Sequence, residues 1–158
     1  MKIYIKQKVF SFLDSFTVKN EQNEDIYKVG GRFALGKQLD IFDSNGQSVA
    51  FIRQRLMNFL PRFDVSIGGD YICSVQREFT FFNQSYRIEG LDWHLDGDIF
   101  AHHYQMVSKN GTVMQMRRAI ISWGDSYELD IPNEADVLLC LAVAIAVDAC
   151  IDVRSNKK

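Results

Sequence analysis

Residues 137–147 read VLLCLAVAIAV, without one charged or strongly polar side chain, between Asp136 and Asp148. Such a segment must leave water, either into lipid or into protein. As a helix it spans about 17 Å, whereas a bilayer crossing takes about 20 apolar residues. Extending it to Ile151 takes in Asp148. The run is short for a membrane anchor, and the expectation is a helix over residues 135–151 that is buried on every side, because a helix apolar all round must be surrounded. Ala142, Ala144 and Ala146 keep it thin. The stretch DIPNEAD (130–136) supplies its start: Asn133 is the capping residue, and Glu134 and Asp136 suit the positive end of the helix dipole. The remainder of the chain has to enclose it.

Most of that remainder reads as strands. QLDIFDSNGQSVAFIRQRL (38–56) alternates, breaks at Asn45-Gly46 and alternates again, which is a hairpin signal. Phe63, Val65 and Ile67 point one way, and Arg62, Asp64 and Ser66 the other; Gly68-Gly69 turns the chain into 71–77. Further strands are expected at 86–88 and 93–95, separated by Gly90, at 99–107 and 113–120 around Asn110-Gly111, and at 127–131 after 123–125. Residues 16–19 and 26–29 form a hairpin around NEQNED, while 3–12 fits either a strand or a short helix.

The strands repeat. VAFIRQRLMNFLPRFDV (49–65), ICSVQREFTFFNQSYRI (72–88) and VMQMRRAIISWGDSYEL (113–129) align without gaps. Phe63, Tyr86 and Tyr127 coincide; so do Phe59, Phe82 and Trp123, and Leu56, Phe79 and Ile120. A Gly-containing turn precedes each unit, so one strand–turn–strand corner is used three times. Repeated short antiparallel strands with regular turns predict a barrel or sandwich. Combined with the thin apolar helix, they predict a mainly β fold, a closed sheet wrapped around that helix, since closure also removes exposed strand edges.

IKQKVFSFLDSFTV (5–18), IYKVGGRFALGKQLDIFDSNGQSVAFI (26–52), YRIEGLDWHLDGDIFAHHYQM (86–106) and WGDSYELDIPNEADVLLCLAVAIAVDACID (123–152) together resemble the bacterial proteins of the LURP-one-related family, in the Tubby C-terminal-like superfamily. The resemblance covers essentially the whole chain. It implies a closed antiparallel barrel of about twelve strands around a central hydrophobic C-terminal helix, as a single domain over 1–158. The superfamily includes Tubby proteins, which bind phosphoinositides, and phospholipid scramblases, but the resemblance implies no specific activity for the small bacterial members. The long basic-rich insertions of the Tubby proteins are missing here, which weakens a transfer of phosphoinositide binding.

Composition narrows the partners. A net charge of −2 argues against a general nucleic-acid binder. The three cysteines, Cys73, Cys140 and Cys150, carry no metal-ligand spacing; Cys140 and Cys150 lie about 15 Å apart on one helix, beyond disulfide reach. The opening MKIYIK has no secretory core, so a cytoplasmic, soluble protein that is not transmembrane is expected. His102 and His103 are adjacent, and on a strand would face opposite sides; with His94, Asp92, Asp96 and Asp98 they match no metal motif. The acidic group Asp125, Glu128 and Asp130 precedes the helix, where scramblases have their calcium-linked segment, but lacks the twelve-residue loop pattern. GGRFALG (30–36) is read as a strand connection, because no helix follows to cradle phosphate. No nucleophile or nucleotide motif occurs. No catalytic residue, metal or cofactor is expected, and the protein is read as not an enzyme.

The basic residues Arg53, Arg55, Arg77, Arg117 and Arg118 all fall in the strand just before a repeated corner. Two readings follow. They are outward residues paired with Glu78 and other carboxylates, or they form a belt at one end of the barrel that takes an anionic lipid headgroup or a phosphorylated small ligand. On the second reading the partner is an anionic phospholipid or membrane surface, and no protein partner is implied. Arg117 and Arg118 face opposite ways on a strand, so only one of them can join a belt. The competing function is a structural or protein-interaction domain with no small ligand, and the weakest is a lipid-translocating protein.

Overall fold

The structure, a computed structural model, describes residues 1–6, 15–32, 34–80, 85–122 and 124–155. Among these, twelve strands form one closed antiparallel barrel: β1 (Lys2–Lys6), β2 (Phe16–Asn20), β3 (Asp25–Arg32), β4 (Gln38–Phe42), β5 (Ser48–Gln54), β6 (Arg62–Ile67), β7 (Asp70–Glu78), β8 (Ser85–Glu89), β9 (His94–Asp98), β10 (His103–Ser108), β11 (Gly111–Ile121) and β12 (Gly124–Asp130). Each strand pairs with the next in sequence, and β12 closes on β1 with Ile3 opposite Leu129 and Ile5 opposite Tyr127. Beyond the ladder, the Met1 ammonium donates to the Ile131 carbonyl at 2.8 Å, and Ile131 N–H donates back to Met1 at 2.9 Å. The seam between β8 and β9 is the thinnest, held by the single pair Arg87–His94.

Alternation decides what lines the interior. Ile3, Ile5, Val18, Val29, Ile41, Ile52, Phe63, Val65, Val75, Met106, Met114 and Leu129 are sealed inside from successive strands. Down the middle runs α1 (Val137–Ser155), entered through a single 3-10 turn at Glu134–Asp136. Asn133 caps that turn as its side chain suggests, its Oδ1 accepting from Ala135 N–H at 3.2 Å. Residues 140–147 are buried without interruption, which answers why no polar side chain is tolerated there. The helix packs chiefly on β5, β6 and β7. It continues four residues beyond the predicted Ile151 end. No helix among the described residues is long and apolar enough to cross a membrane.

The repeat proves to be the corners β5–β6, β7–β8 and β11–β12, with the Gly turns at the opposite end. Phe63, Tyr86 and Tyr127 are all buried, while Leu56, Phe79 and Ile120 are all exposed; Phe82 and Trp123 lie outside the described residues. The corners also repeat a cross-strand ion pair on the outer face. Arg55 reaches Asp64 at 2.9 Å, Arg117 reaches Glu128 at 2.7 Å, and the middle unit swaps the signs, with Arg87 and Glu78 at 3.6 Å. A fourth pair, Arg32 with Asp40, spans β3 and β4. Asp40, Asp64 and Glu128 are nearly sealed beneath their arginines, which explains how carboxylates are buried on the outside of a barrel.

Two expectations need correction. Of the segment 3–12, residues Lys2–Lys6 are strand, and 7–14 lie outside the described residues. The expected strand over 99–107 begins only at His103. Asp98 Oδ1 accepts from Ala101 N–H at 3.0 Å, and His102 N–H reaches the Ile99 carbonyl at 3.2 Å, so 99–102 is a turn despite its apolar Ile99-Phe100. Preceding it, Gly97 has φ +117, and a Cβ there would come within 2.8 Å of the His103 carbonyl oxygen, so the close β9–β10 approach depends on glycine.

Candidate functional site

Because every strand reverses, the connections sort into two ends. One end carries the β2–β3, β4–β5, β6–β7, β8–β9 and β10–β11 turns and the entry of α1. The other carries the β3–β4, β5–β6, β7–β8, β9–β10 and β11–β12 connections, and α1 emerges there. The five candidate arginines sit near this second end, Arg53 in β5, Arg55 just beyond it, Arg77 in β7, and Arg117 and Arg118 in β11. They do not share one face. Arg53 lies on the outer face of β5 and is exposed; Arg55, the residue after the strand, is engaged with Asp64. Arg117 is also outward and engaged with Glu128.

Arg77, half-buried, and Arg118, exposed, occupy the inward-facing positions of their strands. Directly opposed residues of an antiparallel pair project to the same side; Arg77 opposes the buried Tyr86, and Arg118 opposes the buried Tyr127. They are also equivalent positions of the repeat, the first unit having Gln54 there, whose Oε1 accepts from Lys37 N–H at 3.0 Å. Arg77 Nε is buried with no hydrogen-bond partner among the described residues, and its guanidinium is close enough to the last turns of α1 to oppose the upward push that burial gives the Cys150 thiol. No ion pair involves Arg53, Arg77 or Arg118 among the described residues.

α1 meets further polar groups as it emerges. Asp148 Oδ1 lies 2.7 Å from His102 Nε2, and the His102 ring stacks on Tyr127 with centroids 4.2 Å apart. Burial raises the Asp148 pKa above its ordinary value, against the lowering from the His102 hydrogen bond. His102 reaches inward because it has a left-handed backbone, φ +54, at the end of the β9–β10 turn. It is not on a strand, so the expectation of opposite faces for His102 and His103 does not hold for it. Lys37 pairs with Asp152 one turn further along the helix.

The other polar candidates have structural partners. Asp92 accepts from Lys109 N–H, Asp96 from the Gln105 side chain, and Asp98 caps its turn. No group of three or more His, Cys, Asp or Glu residues suited to a metal occurs among the described residues. Burial pushes the Cys73 and Cys140 thiols up to about 12 and raises Cys150 as well, so all three stay protonated near neutrality.

Sequence reading missed the apolar side chains of this end. Leu35, Leu56, Met57, Phe59, Phe79, Phe100 and Ile120 are exposed there, Met57 and Phe59 almost completely. The signal available was the coincidence of Leu56, Phe79 and Ile120 next to the turn of each repeat.

The closed twelve-stranded barrel with a buried C-terminal helix defines a Tubby-like fold. A solved structure of an Arabidopsis thaliana protein superimposes on it with a TM-score of 0.64, at 19% identity over 93% of this chain and 89% of that one. The sequence matches the LURP-one-related family model over residues 1–148, and the chain belongs to that family. It is 40% identical over 149 residues to the uncharacterized protein YxjI of Bacillus subtilis (strain 168), covering 94% of this chain and 92% of that protein.

Proposed function

We propose that this LURP-one-related barrel is a binding module for an anionic, phosphate-bearing ligand, a lipid headgroup or a phosphorylated small molecule, taken at the end where α1 emerges. The observation that carries the reading is the fate of the five arginines. Arg55 and Arg117 are neutralised by buried carboxylates, whereas Arg77 and Arg118 face the mouth from equivalent positions without an ion pair among the described residues. A guanidinium without a carboxylate partner binds phosphate strongly, donating planar bidentate hydrogen bonds to its oxygens, and the half-buried position of Arg77 strengthens them. Arg53, exposed on the neighbouring outer face, adds charge at the rim. In this arrangement Arg77 and Arg118 contact the phosphate, and Arg55 and Arg117 hold the wall.

The test is titration of the purified protein with vesicles of phosphatidylcholine alone and of phosphatidylcholine mixed with phosphatidylglycerol, at low and moderate salt. Binding to the anionic vesicles is expected to exceed binding to the neutral ones and to weaken with salt. An Arg77→Ala/Arg118→Ala variant is expected to lose most of the preference, and Arg53→Ala a smaller part. Equal binding to both vesicles, or a double variant that matches the parent, refutes the reading and leaves an interaction domain in its place.

A further inference from the structure

We infer that the α1-exit end is a membrane-insertion surface, in which Leu35, Met57, Phe59, Phe79, Phe100 and Ile120 enter the interfacial layer of an anionic bilayer. This rests on the anionic-ligand reading above and chooses the lipid over a free phosphorylated molecule. The placement of apolar surface carries it. Of the large hydrophobic side chains exposed among the described residues, only Tyr71 lies toward the opposite end. The rest come from four separate connections and, with Ile120, from the end of β11, so they are distributed around the mouth.

Nothing in the fold requires apolar residues there. Four of the five turns of the opposite end do the same geometric task with Asn20–Glu24, Asp43–Gln47, Gly68-Gly69 and Lys109-Asn110, and in the fifth, 90–93, the apolar Leu91 and Trp93 pack against the core. Scattered exposed apolar residues are ordinary, but a set gathered at one pole marks an interaction surface. Met57 is the extreme case: it is fully exposed and has φ +67, a left-handed conformation that disfavours a side chain.

The shape and the charge select a bilayer as occupant. The side chains stand on separate connections and at the end of β11, so a partner must meet each of them. Lipid does that, and interfacial anchors insert roughly 5–10 Å by the same means. In the described connections of this end the only charged side chains are Lys37 and Arg55. The opposite connections carry Glu21, Glu24, Asp43, Asp92, Glu134 and Asp136 against Lys109 alone. A negatively charged surface therefore repels the acidic pole and leaves the apolar pole facing the lipid. The hydrophobic helix is committed inside the barrel, so insertion at the turn tips needs no opening of the core.

Met57→Ser/Phe59→Ser tests this without touching the core, since both side chains are almost fully exposed. With vesicles of phosphatidylcholine and phosphatidylglycerol, its partitioning is expected to fall about tenfold or more relative to the parent, because membrane affinity scales with the apolar area inserted. Its thermal midpoint is expected to stay the same, as is its affinity for water-soluble glycerophosphoglycerol. A Met57→Trp variant is expected to show a blue-shifted emission, quenched by brominated acyl chains, after subtraction of the parent spectrum. Undiminished partitioning of the serine variant, or an unquenched tryptophan, overturns insertion while leaving headgroup binding standing. Loss of binding to both vesicles and glycerophosphoglycerol in the parent overturns both readings. A dimer in sedimentation velocity that the serine substitutions abolish, with no vesicle binding, makes the surface an interface between two copies and also overturns insertion.

Discussion

Leu141→Ala probes whether the barrel is filled by α1 as a rigid plug. Leu141 is fully buried in the second turn of the helix, between Cys140 and Ala142, which are equally sealed. Truncating a buried leucine costs about 2.7–5 kcal/mol, the higher values arising where the surroundings cannot relax into the cavity. A closed sheet restrained by ladder hydrogen bonds on every strand is such a surrounding, so about 3–5 kcal/mol is expected. For a chain of this length each kcal/mol lowers the melting temperature by about 2–4 °C, giving a drop of about 6–20 °C. Leu139→Ala is the internal control. Its side chain is only partly buried, although it lies two residues away in the same apolar run, so a cost of about 1–2 kcal/mol is expected. The assay is thermal and urea denaturation followed by circular dichroism, with m unchanged so that the midpoints report stability alone. A Leu141→Ala protein melting within 2 °C of the parent, or no lower than Leu139→Ala, would falsify tight packing around the plug.

Three further outcomes are expected. Truncation before Glu134 exposes the apolar lining to water and is expected to give aggregates; a monomeric strand-rich truncate by sizing and circular dichroism contradicts the plug role. Burial raises the Asp40 carboxyl pKa, but the Arg32 and Ser48 hydrogen bonds outweigh it and hold the pKa below 3.8; the stability it contributes is present above that pH and lost as pH falls through the folded value. The advantage of the parent over Arg32→Ala should therefore shrink on acidification, and an equal difference at about pH 2.5 and about pH 7 would sink the electrostatic account. Asp148 has the opposite sign: burial raises its pKa above 3.8, so its contribution is present in acid and lost as pH rises through the folded value. Asp148→Asn, which keeps a hydrogen-bonding oxygen for His102, is expected to lose stability less steeply than the parent over that rise, and parallel curves contradict it.

The fold was legible because its strongest signals are local. An apolar run too short for a bilayer, a cap at Asn133 and Asn-Gly turns each act over a few residues and agree with one another. The 99–102 turn was not legible for a related reason. Ile99 and Phe100 look like strand residues by type, and the turn is decided by the Asp98 side chain and the glycine next to it. Likewise Leu139 and Leu141 are equivalent in composition but not in burial, since the first turn of the helix is sealed only on the side of Val137 and Cys140.

The candidate site was legible as a set of residue types and not as a surface. Repeat alignment put the arginines at similar heights, yet a step of one residue on a strand exchanges the two faces. Arg117 and Arg118 show what that step does: one is held by Glu128 on the wall, the other opposes Tyr127 at the mouth. The alignment does contain the distinction. Arg77 and Arg118 share one repeat position, one step from the position shared by Arg53 and Arg117, and the aromatic partners Tyr86 and Tyr127 identify which position faces inward. The apolar ring followed a different logic. Leu56, Phe79 and Ile120 were visible as coincident hydrophobics, but an apolar residue beside a turn reads as core until closure fixes which end is sealed. Only the alternation of strand direction sorts the apolar connections to one pole and the connections rich in carboxylates to the other. The polarity of this barrel therefore belongs to its topology, and substitutions at the turn tips should alter what it binds while the buried helix and its sealed lining continue to set its stability.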